Sequence, residues 1–203
     1  MTIIPIYQKQ QLIFEQFLEQ YPEDGRFELV NGEIVRVQAT RQHDDVADFL
    51  AKQLDKEVDR LSLNYKVSGR IAIATLTKDG QEQGRFPDVS VISLDIWRNN
   101  RAAYSALREP LQVVVEVVST NWEDDYIDKL DEYQRLGIFE YWIVDYLAIG
   151  SRVYLGKPKV PTVFVYQLDD KGIYQPTAYR GSERIISPTF PELHLTVEQI
   201  LSV

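Results

Sequence analysis

Residues 113–118 read Val-Val-Val-Glu-Val-Val, and this run constrains the fold more than any other part of the chain. A stretch so rich in Val has no polar side to turn to water. It belongs to a strand covered on both faces, at the centre of a sheet. Residues 122–136 then show a helical pattern, with Ser119, Thr120 or Asn121 as cap candidates and Gly137 to end it. IFEYWIVD, residues 138–145, supplies a second apolar strand. Strand, helix and strand in that order predict an α/β core.

The flanking segments extend this core. Residues 8–20 have helical spacing, stopped by Pro22 and Gly25. In RFELVNGEIVRV, residues 26–37, two apolar-rich runs flank Asn31-Gly32, a strong hairpin signal. A two-residue turn pairs Val30 with Glu33, Leu29 with Ile34 and Glu28 with Val35. Residues 43–62 read as a helix with Val46, Phe49, Leu50, Leu54, Val58 and Leu61 on one stripe. Residues 65–76 and 85–92 read as two strands, and residues 93–110 as an excursion with a short helix. RVYL (152–155), TVFVYQL (162–168) and IYQPTAYR (173–180) read as short antiparallel strands, and TVEQIL (196–201) as a final helix. No repeat or linker divides residues 1–203, which are expected to form a single domain.

Composition removes several function classes. The 203 residues include no Cys, which excludes disulfide scaffolds, thiol nucleophiles and cysteine metal sites. His43 and His194 are the only histidines, too few for a His-rich zinc site. The net charge of −9 argues against coating nucleic acid by bulk electrostatics, though not against a local basic groove. No signal peptide is expected from MTIIPIYQKQ, and Gln112 and Glu116 interrupt the most apolar run, so no membrane partner is expected and a cytoplasmic location follows. GSRVYLGK (150–157) fails as a phosphate loop because Pro158 stands where Ser or Thr is required.

Three carboxylates occupy strands, where charge is expensive. Glu28 lies in the hairpin. Asp88 follows Pro87 at the head of a strand that puts Asp88, Ser90 and Ile92 on one face. Glu116 sits inside the Val run. A lone carboxylate there costs several kcal/mol or takes up a proton, unless a cation compensates. Lys129 is on the following helix, whose first turns fold back over the strand end. Each residue alone has an ordinary explanation: a wet hairpin face, a strand cap, a buried salt bridge, or a surface lysine paired with Asp125. All four together, on these elements, point to a site.

That combination resembles the PD-(D/E)xK nuclease superfamily, in which Pro-Asp, an acid within an apolar strand and a lysine form the site. The position two after Glu116 is Val118, so the lysine is not in its usual place. One branch moves it onto the next helix. The chain is similar to that branch, the Uma-two family of restriction-endonuclease-like proteins, through RFELVNGEIV (26–35), a helix opening at His43, PDVSVIS (87–93), VVVEVVS (113–119) and DKLDEYQRLGIFEYWIVD (128–145). The resemblance implies a restriction-endonuclease-like α/β core, a mixed β-sheet flanked by helices, with an antiparallel C-terminal extension. It also implies Asp88, Glu116 and the Val117 carbonyl as ligands of Mg²⁺ or Mn²⁺. Lys129 would act on water or phosphate charge, and Glu28 would be an additional acid near a second metal position or a water. His43 matches a position near the pocket and has no assigned role.

These residue types suit phosphodiester cleavage. A hard cation held by carboxylates stabilises phosphate charge and makes water more acidic, and a lysine adds positive charge. The expected function is therefore a metal-dependent endonuclease acting on nucleic acid, DNA first. The alternative is a catalytically inactive binding or assembly module. A glycosidase built on a carboxylate pair lacks an aromatic sugar platform. Arg41, Lys66, Arg70, Arg85 and Arg98 are the candidate nucleic-acid contacts. Val153, Tyr154, Val163, Phe164, Val165 and Tyr166 give the C-terminal region an apolar excess, and with the resemblance they predict a homodimer.

Overall fold

The computed structural model describes residues 11–100 and 103–203. In chain order the elements are α1 (Phe14–Glu19), β1 (Arg26–Val30), β2 (Glu33–Val37), α2 (Arg41–Leu61), β3 (Tyr65–Ser68), β4 (Ala72–Leu76), β5 (Glu82–Arg85), β6 (Val89–Ser93), α3 (Leu94–Asn99), β7 (Ala106–Leu107) and β8 (Val113–Val117). A π-helical turn (Asp124–Asp128) then leads into α4 (Lys129–Leu136), followed by β9 (Glu140–Asp145), α5 (Arg152–Leu155), β10 (Thr162–Leu168), β11 (Tyr174–Tyr179) and α6 (Val197–Leu201). The first three residues of the expected 8–20 helix lie outside the described residues, and α1 is shorter than that expectation.

The strands form two mixed sheets. One has the order β2-β1-β5-β4-β7 and the other β11-β10-β9-β8-β6-β3. The hairpin has the register read from its turn, with Glu28 opposite Val35. Asn31 and Gly32 both adopt positive φ, as the tight turn requires. The two long strands expected over 65–76 and 85–92 are instead each broken. They run as one antiparallel ribbon that bends, so that β4 and β5 pair in the first sheet and β3 and β6 in the second. The bends are tight because Gly69 packs on the other strand: a Cβ there would stand 2.7 Å from the Asp88 carbonyl oxygen. Asp88 thus sits where the ribbon passes between sheets.

β8 lies between β6 and β9 and is parallel to β9, as the strand–helix–strand reading requires. All five of its residues are buried. Val113, Val115 and Val117 pack with Val46, Leu50, Leu54 and Val58 of α2. Alternation turns Val114 and Glu116 to the opposite side, where Val114 packs with Tyr126 and Tyr133. The carboxylate of Glu116 therefore faces the helix that carries Lys129.

One C-terminal expectation changes. Residues 152–155 form the helical turn α5, started by the Ser151 hydroxyl accepting from the Val153 amide, where β-branched and aromatic content had suggested a strand. Val163, Phe164, Val165 and Tyr166 are buried in the chain's own core, and Tyr154 packs against it, leaving Val153 exposed. The apolar excess that argued for a homodimer is thus spent inside one chain. β11 is an edge strand, with Pro176 opposite Tyr166 of β10. Among the described residues no helix is long and apolar enough to cross a membrane.

Candidate active site

Asp88, Glu116, Val117 and Lys129 line one cavity of about 350 Å³, with Glu28 and His43 in its wall. Five separate segments deliver them: β1, the first turn of α2, the ribbon bend, the end of β8 and the start of α4. Each placement follows from local structure. The Thr40 hydroxyl caps α2 by accepting from the His43 amide, which puts His43 on the first turn facing β8. The π-helical turn widens the helix just before α4; Asp125 lines the cavity from that turn and Lys129 from the start of α4. Such turns recur at functional sites.

Asp88 is tightly held. Arg26 donates to its Oδ1 at 2.9 Å and the Val117 amide to its Oδ2 at 2.8 Å. The same guanidinium donates to the Phe86 and Pro87 carbonyl oxygens, pinning the bend itself. His43 Nε2 lies 3.2 Å from Asp88 Oδ2 and 2.9 Å from the Val117 carbonyl oxygen. The carboxylate oxygen and the backbone carbonyl thus both lie within reach of the same imidazole nitrogen. Glu116 takes a hydrogen bond from the Tyr133 hydroxyl at 2.6 Å, and its other oxygen lies 3.0 Å from Lys129 Nζ. Lys129 is also 3.0 Å from Asp125 Oδ1.

Burial and charge push the two central acids in opposite directions. Burial works to raise Asp88, but hydrogen bonding and charge from His43, then Arg26 and Lys129, outweigh it and hold the carboxyl below its usual range. Burial pushes Glu116 up to about 8; Lys129 attracts the charged form, while Asp88, Asp125 and Glu28 repel it. Asp125 is also raised, chiefly by burial. Burial would lower His43, yet the hydrogen bond and charge of Asp88 prevail and raise it. Lys129 is held well above its ordinary value because Asp125 and Glu116 overcome its desolvation. Two acids driven apart in this way are a mark of functional sites.

Not every expected residue is placed as expected. Glu28 reaches the wall, but Arg85 pairs with its Oε2 at 3.2 Å and the Phe86 amide donates to its Oε1 at 3.1 Å. Arg85 is no nucleic-acid contact: it is 3% exposed and also grips Glu132 through two nitrogens at 2.8 and 2.6 Å. Thr75 donates to the same Glu132 carboxylate. Lys66 lies over the Trp97 ring at 5.4 Å, lining a different cavity with Arg98. Arg41 and Arg70 are exposed. Arg26, Asp125 and Tyr133 are site residues that the sequence reading missed. Arg26 stands two residues before Glu28 on the same strand face, and that spacing is a signal for it. Asp125 and Tyr133 flank Lys129 at helical spacing, a signal blurred by five other acids on that helix.

The donor set is two carboxylates and a carbonyl oxygen, beside an imidazole whose Nε2–H is given to that carbonyl. Among the described residues no three His, Asp or Glu side chains form a ready metal cage. The oxygens nevertheless suit a hard cation. Asp88 Oδ2 and the Val117 oxygen line the same cavity as Glu116, and burial raises Glu116, so a cation beside it would favour its charged form.

The model of the Uma2 family, described as "Putative restriction endonuclease", matches residues 14–198. The chain belongs to the Uma2 family. A crystal structure from Anabaena variabilis ATCC 29413, described as "a putative nuclease belonging to DUF820", is similar over 94% of this chain and 98% of that one, with a TM-score of 0.70 and 15% identity. At that identity the likeness shows a shared fold. No curated protein matches the chain. Uma2 membership agrees with the resemblance drawn from the motifs above, and the neighbour supports the restriction-endonuclease-like α/β fold.

Proposed function

We propose that this Uma2 protein is a nuclease that hydrolyses phosphodiester bonds in DNA and depends on Mg²⁺ or Mn²⁺. The observation that carries the reading is the convergence of Asp88, Glu116, the Val117 carbonyl and Lys129 in one cavity, although they come from separate elements. Asp88, Glu116 and the Val117 carbonyl oxygen would hold the cation, with His43 as a hydrogen-bonding neighbour of Asp88 and that carbonyl. When bound, the cation supplies charge stabilisation on the phosphate and lowers the pKa of water.

The protein's own groups do the rest. Arg26 fixes Asp88 and the bend behind it, so the carboxylate keeps its aim. Tyr133 fixes one oxygen of Glu116. The Lys129 ammonium, held protonated by its two acids, stands beside the ligands and stabilises negative charge that develops on phosphate. Glu28, taken by Arg85 and the Phe86 amide, ties the hairpin to the bend.

The test is cleavage of single- and double-stranded DNA with Mg²⁺ or Mn²⁺ by the wild type and by Asp88→Ala, Glu116→Ala and Lys129→Ala. The first two should lose metal binding and activity. Lys129→Ala should bind metal yet turn over slowly, because its role falls on the transition state. A wild type that binds no divalent ion and cuts no nucleic acid would replace this reading with the binding module. The acids already engaged by internal partners are the observation in that module's favour.

A further inference from the structure

Resting on the metal-site reading above, the geometry points to Asp125 as a positioning residue, which we propose holds the Lys129 ammonium while Glu116 serves the cation. Lys129 Nζ stands midway between two carboxylates, 3.0 Å from Glu116 Oε2 and 3.0 Å from Asp125 Oδ1. All three side chains are nearly sealed from solvent, at 11% exposure for Lys129, 3% for Glu116 and 7% for Asp125. A buried ammonium stripped of its partner is strongly unfavourable, so it resists any competitor for that partner.

A divalent ion that takes Glu116 as a ligand is such a competitor. The other Glu116 oxygen is occupied by the Tyr133 hydroxyl, so the contact that must yield is the one to Lys129. Asp125 makes the exchange inexpensive. The ammonium keeps one charged partner at hydrogen-bond distance and need not leave the cavity. The placement depends on the π-helical turn Asp124–Asp128, which carries Asp125 immediately ahead of Lys129 in the cavity wall. The backbone of Asp125 is itself anchored, because the Tyr141 hydroxyl donates to its carbonyl oxygen at 2.9 Å. Asp125 touches neither Asp88 nor the Val117 carbonyl among its hydrogen-bond partners; its one ion-pair link towards the ligands is the lysine.

The experiment is a double-mutant cycle read by Mn²⁺ binding in isothermal titration calorimetry, with no nucleic acid present. Asp125→Asn keeps the shape and removes the charge, leaving Lys129 with Glu116 as its one charged partner. Mn²⁺ affinity should fall roughly tenfold, the size of one interaction between contacting charged groups. Asp125→Glu should restore part of it. In a Lys129→Met background, where there is no ammonium to hold, Asp125→Asn should leave Mn²⁺ affinity within about twofold. Circular dichroism and melting curves identify variants that fail to fold, and Asp125→Ser, which also removes the charge, then serves in place of Asp125→Asn.

An undiminished loss in the Lys129→Met background would make Asp125 a direct ligand and overturn the proposal. An unchanged affinity for Asp125→Asn in the otherwise native chain would also overturn it. Failure of the wild type to bind Mn²⁺ at all is a different outcome. It would remove the metal-site reading, and this inference with it.

Discussion

Arg85→Met tests how much of this fold hangs on one buried guanidinium. Arg85 joins Glu132 of α4 at 2.6 and 2.8 Å to Glu28 of β1 at 3.2 Å. The side chains are 4%, 4% and 8% exposed, so solvent screens little of the interaction. Burial opposes the charge on Arg85, but Glu132 and Glu28 overcome it and raise its pKa further. Met fills similar space and leaves two carboxylates facing one another without a cation. Breaking a buried pair from one side costs about 3–5 kcal/mol. For a chain of this size that corresponds to a melting temperature lower by roughly 6–20 °C. Glu132→Met alone should be similarly costly, because it strands part of the guanidinium. The double variant removes both charges and should recover at least about 2 kcal/mol relative to the sum of the singles. Urea denaturation of the four proteins, with thermal melts alongside, measures this directly. A cost below about 1 kcal/mol for Arg85→Met, or single costs that simply add, would refute the account of Arg85 as the tie between the sheet and α4.

Three further outcomes are expected. Mn²⁺ at a hundredfold excess over its Kd should stabilise the wild type by about 2.7 kcal/mol, and Asp88→Asn should lose that response in a thermal-shift assay. Without metal, Glu116 binds its proton more tightly folded than unfolded, with a pKa of about 8 against an ordinary 4.5. Its stabilising share is therefore complete below pH 4.5 and is lost as the pH rises through 8. Glu116→Gln should match the wild type at low pH and gain on it by a few kcal/mol towards pH 8, seen in denaturation midpoints across that window. Gly69→Ala should cost about 1–3 kcal/mol, because its Cβ would stand 2.7 Å from the Asp88 carbonyl oxygen, and should weaken Mn²⁺ binding by shifting the bend; an unchanged affinity would show that the bend does not hold Asp88 in place.

The hairpin was legible to the residue, since Asn31-Gly32 sets a two-residue turn and a period of two does the rest. Glu116 announced itself as a charge within an apolar strand, and Lys129 followed from the return of a helix over its preceding strand. Other features were hidden for physical reasons. The sequence pattern of a bent ribbon is the same as that of two straight strands, so the break between sheets did not show. Gly69 and Pro87 were its only marks. Residues 152–155 carry strand-forming side chains, but the Ser151 cap overrode that propensity. Arg85 looked like a surface cation because its two acids lie far away in sequence, at positions 28 and 132. Long-range pairing of this kind leaves no local trace.

Pro176 has a consequence for how copies of this chain meet. A proline settles into an edge strand with its nitrogen turned away from its neighbour, so the outer rim of β11 lacks a donor at that position. A strand from another chain, arriving to lengthen the sheet, finds the ladder interrupted there. Extension into a continuous intermolecular sheet, the first step towards fibrous aggregates, is blocked on this side by a single ring.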